Sequence, residues 1–168
     1  IVAVSDISGT VFDEHGLDCK ALLQLKEKGK SIAEYKKAKK MGLNDIYELK
    51  VDILIPAAVS DVINERNFDK VKAKIIVEAA NIPMPEYIEE KLFKKGITIV
   101  PDFVANAGGV ISSYAEYRGY NPKKMFDLVK RKIIKTTKAV LKESIKHKKN
   151  PRDIAFKIAE AKVKAAMS

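Results

Sequence analysis

PDFVANAGGVISSY, residues 101–114, marks the point where a short apolar strand gives way to helix. Ile97–Val100 reads as the strand, running into Pro101-Asp102. An Asn-Ala-Gly-Gly turn follows, and a helix opens with Ser112 and Ser113 near its start. Asn106 supplies an amide with both donor and acceptor, paired glycines allow close backbone approach, and a helix N-terminus favours negative charge. These are the parts of a site that holds a carboxamide and a carboxylate side by side. The plainer reading, a strand-to-helix turn whose glycines only relieve crowding, explains the same spacing equally well.

Working outward, three more runs have strand length and β-branched content: Ile1–Ser5, Val51–Ile55 and Lys74–Val77. Helical patterns lie between the four, over 18–29, 31–42, 60–69 and 84–95, which predicts crossover connections and a parallel sheet. Beyond Gly109 the pattern is wholly helical. Val110–Arg118 forms one helix and Lys123–Lys148 a long amphipathic one, with Phe126, Val129, Ile133, Ile134, Val140, Leu141 and Ile145 in its apolar stripe. Asn150 caps a last helix that has Pro151 at its first position and Ile154, Ala155, Ile158, Ala159, Val163 and Ala166 inward. The fold class read from this is α/β, a Rossmann-like doubly wound parallel sheet (1–106) followed by C-terminal helices (107–168), together one dinucleotide-binding domain.

A length of 168 residues with 46% apolar content suits one domain with a sizeable core. No apolar run reaches 18 residues and no signal peptide is visible, so the chain reads as soluble, with no membrane partner. The lone Cys19 fits a reducing, cytoplasmic setting and reads as a small packing residue. No Cys/His cluster has metal-ligand spacing. Residues 122–168 hold 13 Lys and 2 Arg against 4 acids, so the whole excess of +10 lies in the C-terminal helices. A noncatalytic nucleic-acid binder is one reading of such helices. The cations are nearly all Lys without interleaved aromatics, which favours a solvated or partner-facing surface.

Ligands of doubly wound sheets bind beyond the C-terminal strand ends. Those ends are Ser5-Asp6, Pro56-Ala57-Ala58, Ala80-Asn81 and Pro101-Asp102, all small, polar or proline. Asp6 is placed to accept from a ribose, or is simply a turn residue; Ser5 and Ser8 beside it can instead meet a 2′-phosphate. Ala57 and Ala58 are small enough to let backbone groups reach a cofactor. Asn81 offers an amide for a ribose or carboxamide, and an Asx-turn before Pro83 is an equal contender. No G-x-G-x-x-G is present, and these motifs contain no Lys or His suited to proton transfer.

Taken together, IVAVSDISGTVFDEHGLD (1–18), DILIPAAVSDVI (52–63), KAKIIVEAANIPMPE (72–86) and PDFVANAGGVISSY resemble the cofactor-binding domain of the glutamate, leucine, phenylalanine and valine dehydrogenase superfamily, the glutamate branch most of all. The resemblance covers essentially the whole chain. It implies oxidative deamination of L-glutamate to 2-oxoglutarate and ammonium with NAD or NADP, and assembly as a hexamer. It places Ser5 and Asp6 at the adenosine ribose and Ala57 and Ala58 on the cofactor-lining turn. Asn81 and Asn106 fall near the nicotinamide and its ribose, and Val110 and Ser113 at the substrate side chain. A branched-chain or aromatic amino-acid dehydrogenase is the alternative within the superfamily. The superfamily's catalytic residues belong to an N-terminal substrate domain absent from this sequence, so no catalytic residue is assigned and the chain alone is expected to be inactive. Ile1 opens inside an apolar run without an initiator Met, and the first, central strand with its glycine fingerprint is expected upstream.

Overall fold

A computed structural model describes residues 1–167. The chain forms two compact units, one of residues 1–51 and 66–73, the other of residues 52–65 and those from Lys74 onward.

In the first unit β1 (Ala3–Asp6) turns through Ile7-Ser8 into β2 (Gly9–Phe12), which pairs with β3 (Lys39–Met41). All three strands are antiparallel, in the order β1-β2-β3. The Ile1–Ser5 run therefore belongs to a hairpin and not to the parallel sheet. The reason is local: the Asp6 side chain accepts the Ser8 N–H and Gly9 adopts φ +125°, which together close a two-residue turn. Helix α1 (Cys19–Glu27) starts where Asp18 accepts the Ala21 N–H. Val11, Leu17, Leu22, Ile32 and Tyr35 form the buried core here. Cys19 is exposed and so is not a packing residue.

The helix expected over 31–42 does not form. Ser31 and Glu34 make a complete capping box, but it starts only a single 3-10 turn, Ile32–Glu34. Tyr35 then turns extended and is buried, and Lys39–Met41 joins β2; burial and strand pairing outweigh local helix propensity. A short helix α2 (Asp45–Glu48) follows.

The second unit carries the parallel sheet, β4 (Ile53–Leu54), β5 (Ile75–Val77) and β6 (Thr98–Val100), in that order, with Ile53 opposite Ile75 and Ile76 opposite Ile99. Helix α3 (Glu86–Lys94) makes the crossover from β5 to β6, and Gly96 at φ +89° closes it. The crossover helix expected over 60–69 is replaced by turns that end in a single 3-10 turn, Phe68–Lys70. Its backbone is committed elsewhere: Asp61 N–H donates to the Ile82 carbonyl and Ile63 N–H to the Pro83 carbonyl. After β6 come α4 (Asp102–Ala105), α5 (Gly108–Tyr117), α6 (Pro122–His147) and α7 (Pro151–Met167). This gives the expected α/β fold with a parallel sheet and C-terminal helices.

Asn121 and Asn150 both cap as the sequence predicts, accepting from Lys124 N–H and Arg152 N–H. Val100, Val104, Val140, Ile154 and Ala155 bury together and seat α6 and α7 on the sheet. The apolar stripe is narrower than its periodicity implies. Phe126, Ile134 and Ile145 on α6 are exposed, as are Ala159, Val163 and Ala166 on α7, while Leu128 is buried.

The β1–β2 turn is testable. A Cβ at Gly9 would stand 2.9 Å from the Met41 carbonyl oxygen as well as straining the backbone. Gly9→Ala is expected to cost about 1–3 kcal/mol in chemical denaturation, and Gly29→Ala less, because a Cβ at Gly29 meets nothing within 4 Å.

Candidate functional site

At the C-terminal end of the parallel sheet the Pro56 carbonyl accepts the N–H groups of both Ala79 and Ala80, so the ends of β4 and β5 are tied together. Ala57 and Ala58 follow on an exposed turn. Asn106 closes α4, its N–H donating to the Asp102 carbonyl at 2.7 Å. Its side-chain Nδ2 donates to Asn81 Oδ1 at 2.6 Å. Two residues 25 apart in sequence are thus brought into contact. The pair leaves the Asn81 side-chain Nδ2 donors and the Asn106 side-chain Oδ1 acceptor available, the complement a carboxamide needs.

Beneath that pair lies a buried charge cluster the sequence reading missed. Arg152, from the first turn of α7, donates through Nε to Glu89 Oε2 at 2.6 Å and through Nη2 to Glu78 Oε2 at 2.9 Å and Asp102 Oδ1 at 3.2 Å. Asp102 N–H donates to Glu78 Oε2 at 2.8 Å, and Asp102 Oδ2 accepts the Ile82 N–H at 2.9 Å. Ile82, next to Asn81, sits at φ +46°, a conformation β-branched residues rarely adopt. The Glu78 and Glu89 side chains are fully buried, and the Oε1 atom of each has no partner. Burial pushes the Glu78 carboxyl up to about 8, with the Glu89 charge adding to the shift and Arg152 opposing it. Burial likewise raises Glu89, against its bond to Arg152. The sequence did hold a signal. Glu89 occupies an apolar-stripe position with Ile88 and Leu92 on α3, and a buried acid there requires a cation.

The Asn-Ala-Gly-Gly turn divides its glycines between two tasks. A Cβ at Gly108 would lie 3.4 Å from Val129 Cγ1, so this glycine serves the packing of α5 on α6. Gly109 faces open space. Val110 is 78% exposed, and Ser113, three residues on and so on the same helix face, is exposed as well. The Ser112 and Ser113 hydroxyls both donate to the Gly109 carbonyl, at 2.7 and 3.2 Å.

In the first unit, Ser5 Oγ donates to the Gly9 carbonyl at 3.2 Å and so braces the hairpin. Asp6 Oδ1 accepts both the N–H and the hydroxyl of Ser8, and Oδ2 accepts Lys26 Nζ at 2.8 Å. Burial alone would raise the Asp6 carboxyl, but the bonds from Lys26 and Ser8 prevail and lower it to about 2. Lys26 is a second residue the sequence reading passed over.

The sequence profile of the Glutamate/Leucine/Phenylalanine/Valine dehydrogenase family matches residues 1–168. A glutamate dehydrogenase of Aeropyrum pernix is 39% identical over 177 residues, covering 99% of this chain and 42% of the relative. An NADP-specific glutamate dehydrogenase of Saccharolobus shibatae is 44% identical over 117 residues, covering 70% of this chain and 28% of the relative. Among solved structures, the glutamate dehydrogenase of Peptoniphilus asaccharolyticus is similar with a TM-score of 0.73 at 26% identity, over 98% of this chain and 39% of that one. The chain thus spans less than half the length of each of these relatives.

The buried cluster makes a pH prediction. With Glu78 raised from 4.5 to about 8, the folded state holds more protons than the unfolded chain between those values, so stability falls as pH rises across that window. Thermal unfolding from pH 5 to 9 is expected to show this decline, and Glu78→Gln to flatten it. Arg152→Met, which strands the carboxylates, is expected to cost about 3–5 kcal/mol at pH 8.

Proposed function

The chain belongs to the glutamate/leucine/phenylalanine/valine dehydrogenase family, and from that premise we propose that residues 1–168 act as its dinucleotide-binding domain. The reaction is L-glutamate + water + NAD(P)+ to 2-oxoglutarate + ammonium + NAD(P)H + H+. The observation that carries this reading is the Asn81–Asn106 pair, whose free donor and acceptor match the two faces of a nicotinamide carboxamide.

The dinucleotide, when bound, supplies the hydride acceptor. This chain's residues bind and orient it. Asn81 and Asn106 hold the carboxamide and its ribose, Ala57 and Ala58 keep the lining turn low, and Gly109 leaves room at the start of α5. In the first unit Asp6 meets the adenosine ribose, with Ser5 holding the hairpin that carries it. Val110 and Ser113 meet the substrate side chain, where the Ser113 hydroxyl turns from the Gly109 carbonyl to donate to the γ-carboxylate of glutamate. None of these side chains is a proton-transfer group at neutral pH, so the acid–base residues lie outside this set. The whole protein works as a homo-oligomer, a hexamer, with its lysine-rich α6 and α7 surfaces solvated or facing partners.

Fluorescence titration of the full chain with NADH tests the binding role. Asn106→Leu is expected to weaken NADH by roughly 1–3 kcal/mol, the worth of a lost hydrogen bond, and unchanged affinity contradicts the assignment. The purified 168-residue chain is expected to form no NAD(P)H from glutamate at any concentration.

Ser113 discriminates glutamate from the family's apolar substrates, which have no use for its hydroxyl. In the whole protein, Ser113→Ala is expected to raise KM for glutamate selectively, by a factor corresponding to roughly 1–3 kcal/mol. Steady-state kinetics with glutamate and leucine side by side would show an unaltered preference if the substrate is apolar.

A further inference from the structure

Asp6 does not stand alone at the end of β1. Lys26, in the last turn of α1, reaches Asp6 Oδ2 at 2.8 Å, and Ser8 supplies two donors to Oδ1. Ser8 Oγ in turn accepts the Ser31 hydroxyl at 2.6 Å, and Ser31 Oγ accepts the Ala33 N–H. Two residues, Ser8 from the turn and Lys26 from α1, therefore bond the Asp6 carboxylate directly, and Ser31 from the following loop backs Ser8.

A carboxylate offers about four lone-pair positions, and three of those on Asp6 are already occupied. Gripping both hydroxyls of a ribose diol takes two. As built, Asp6 has room for one, so it is poorly equipped to select an unmodified ribose. A bare carboxylate would also repel a 2′-phosphate, which carries close to two negative charges. Here that repulsion is cancelled by an ammonium in direct contact, on a side chain that is 52% exposed and has spent one of its three donors on Asp6.

We propose that Lys26 is a specificity-determining residue that lets this chain accept a dinucleotide bearing a 2′-phosphate, by neutralising Asp6 and offering its remaining donors to the phosphate oxygens. The Ser8 and Ser31 hydroxyl protons are already given to Asp6 Oδ1 and Ser8 Oγ, so Lys26 is the member of the cluster with donors left for the phosphate. This rests on the reading that Asp6 faces the adenosine ribose. It makes NADP an accepted cofactor alongside NAD, despite the acid at the strand end.

Equilibrium titrations of the full chain with NADH and NADPH test it, alongside Lys26→Met, Lys26→Arg and Asp6→Asn, with thermal melts as folding controls. Lys26→Met is expected to weaken NADPH ~10-fold and NADH less than ~3-fold, the loss of one charge-assisted contact. Lys26→Arg should restore NADPH to within ~3-fold of wild type by supplying the same charge. Asp6→Asn should shift the ratio toward NADPH. In wild type, NADPH affinity should fall more steeply with salt than NADH affinity, and Lys26→Met should abolish the difference. If wild type binds neither dinucleotide, the proposed function falls and this inference with it. If Asp6→Asn leaves the ratio unchanged, the placement of Asp6 is wrong and the inference fails with that placement. If Asp6→Asn moves the ratio and Lys26→Met does not, or if Lys26→Met weakens both dinucleotides equally, the role given to Lys26 alone is overturned.

Discussion

One guanidinium holds three carboxylates in the interior of the second unit, and the strand ends above it take their shape from that constraint. Arg152 joins α7 to Glu78 just past β5, Glu89 on α3 and Asp102 at the start of α4. Asp102 passes the constraint on, since its second oxygen fixes the Ile82 N–H and with it the turn bearing Asn81. A network with more buried acid than base is an expensive source of stability. Its use here is geometric: it holds Ile82 in a left-handed conformation costing about 1–3 kcal/mol and so sets the position of the neighbouring Asn81. Phe103 adds an apolar wall, with the Arg152 guanidinium 5.5 Å from its ring centre and the Phe156 ring tilted against it at 4.8 Å between centroids.

The two units apply the same logic to different ends. In the second, backbone ties from the Pro56 carbonyl and a buried ion cluster fix a pair of neutral amides suited to an uncharged carboxamide. In the first, a tight hairpin turn fixes a charged group, and partly exposed neighbours set its effective charge. The Asn81–Asn106 bond is itself exposed, and its rigidity comes from the buried cluster that fixes the turn carrying Asn81. Solvent-facing pairing of a charged group leaves it adjustable by a single substitution.

Sequence legibility followed the range of the interactions. β5, β6, α3, α6 and the caps at Asn121 and Asn150 were readable because Gly, Pro and Asn punctuate them locally. The helix expected over 31–42 starts at Ser31 as its pattern suggests, yet the pairing of β3 with β2 ends it after one turn. The helix read over 60–69 was lost to backbone bonds with Ile82 and Pro83, about twenty residues away. Asn81 stands out as an amide at a strand end and Asn106 as one in the turn that follows the last strand, while their contact does not, since nothing local encodes a pairing across 25 positions. Arg152 was hidden among the surface lysines of a basic segment, although Glu89 in the stripe of α3 marked the need for it.

Amide-detected NMR of the full chain titrated with NADH reads the Asn81–Asn106 turn directly. The side-chain amide signals of Asn81 and Asn106 and the backbone N–H of Gly109 should move together and saturate with the fluorescence titration, while Arg152 Nε–H, buried in its cluster, keeps its position. Saturable binding that leaves the Asn81 and Asn106 signals unmoved would contradict the placement of the carboxamide at this turn.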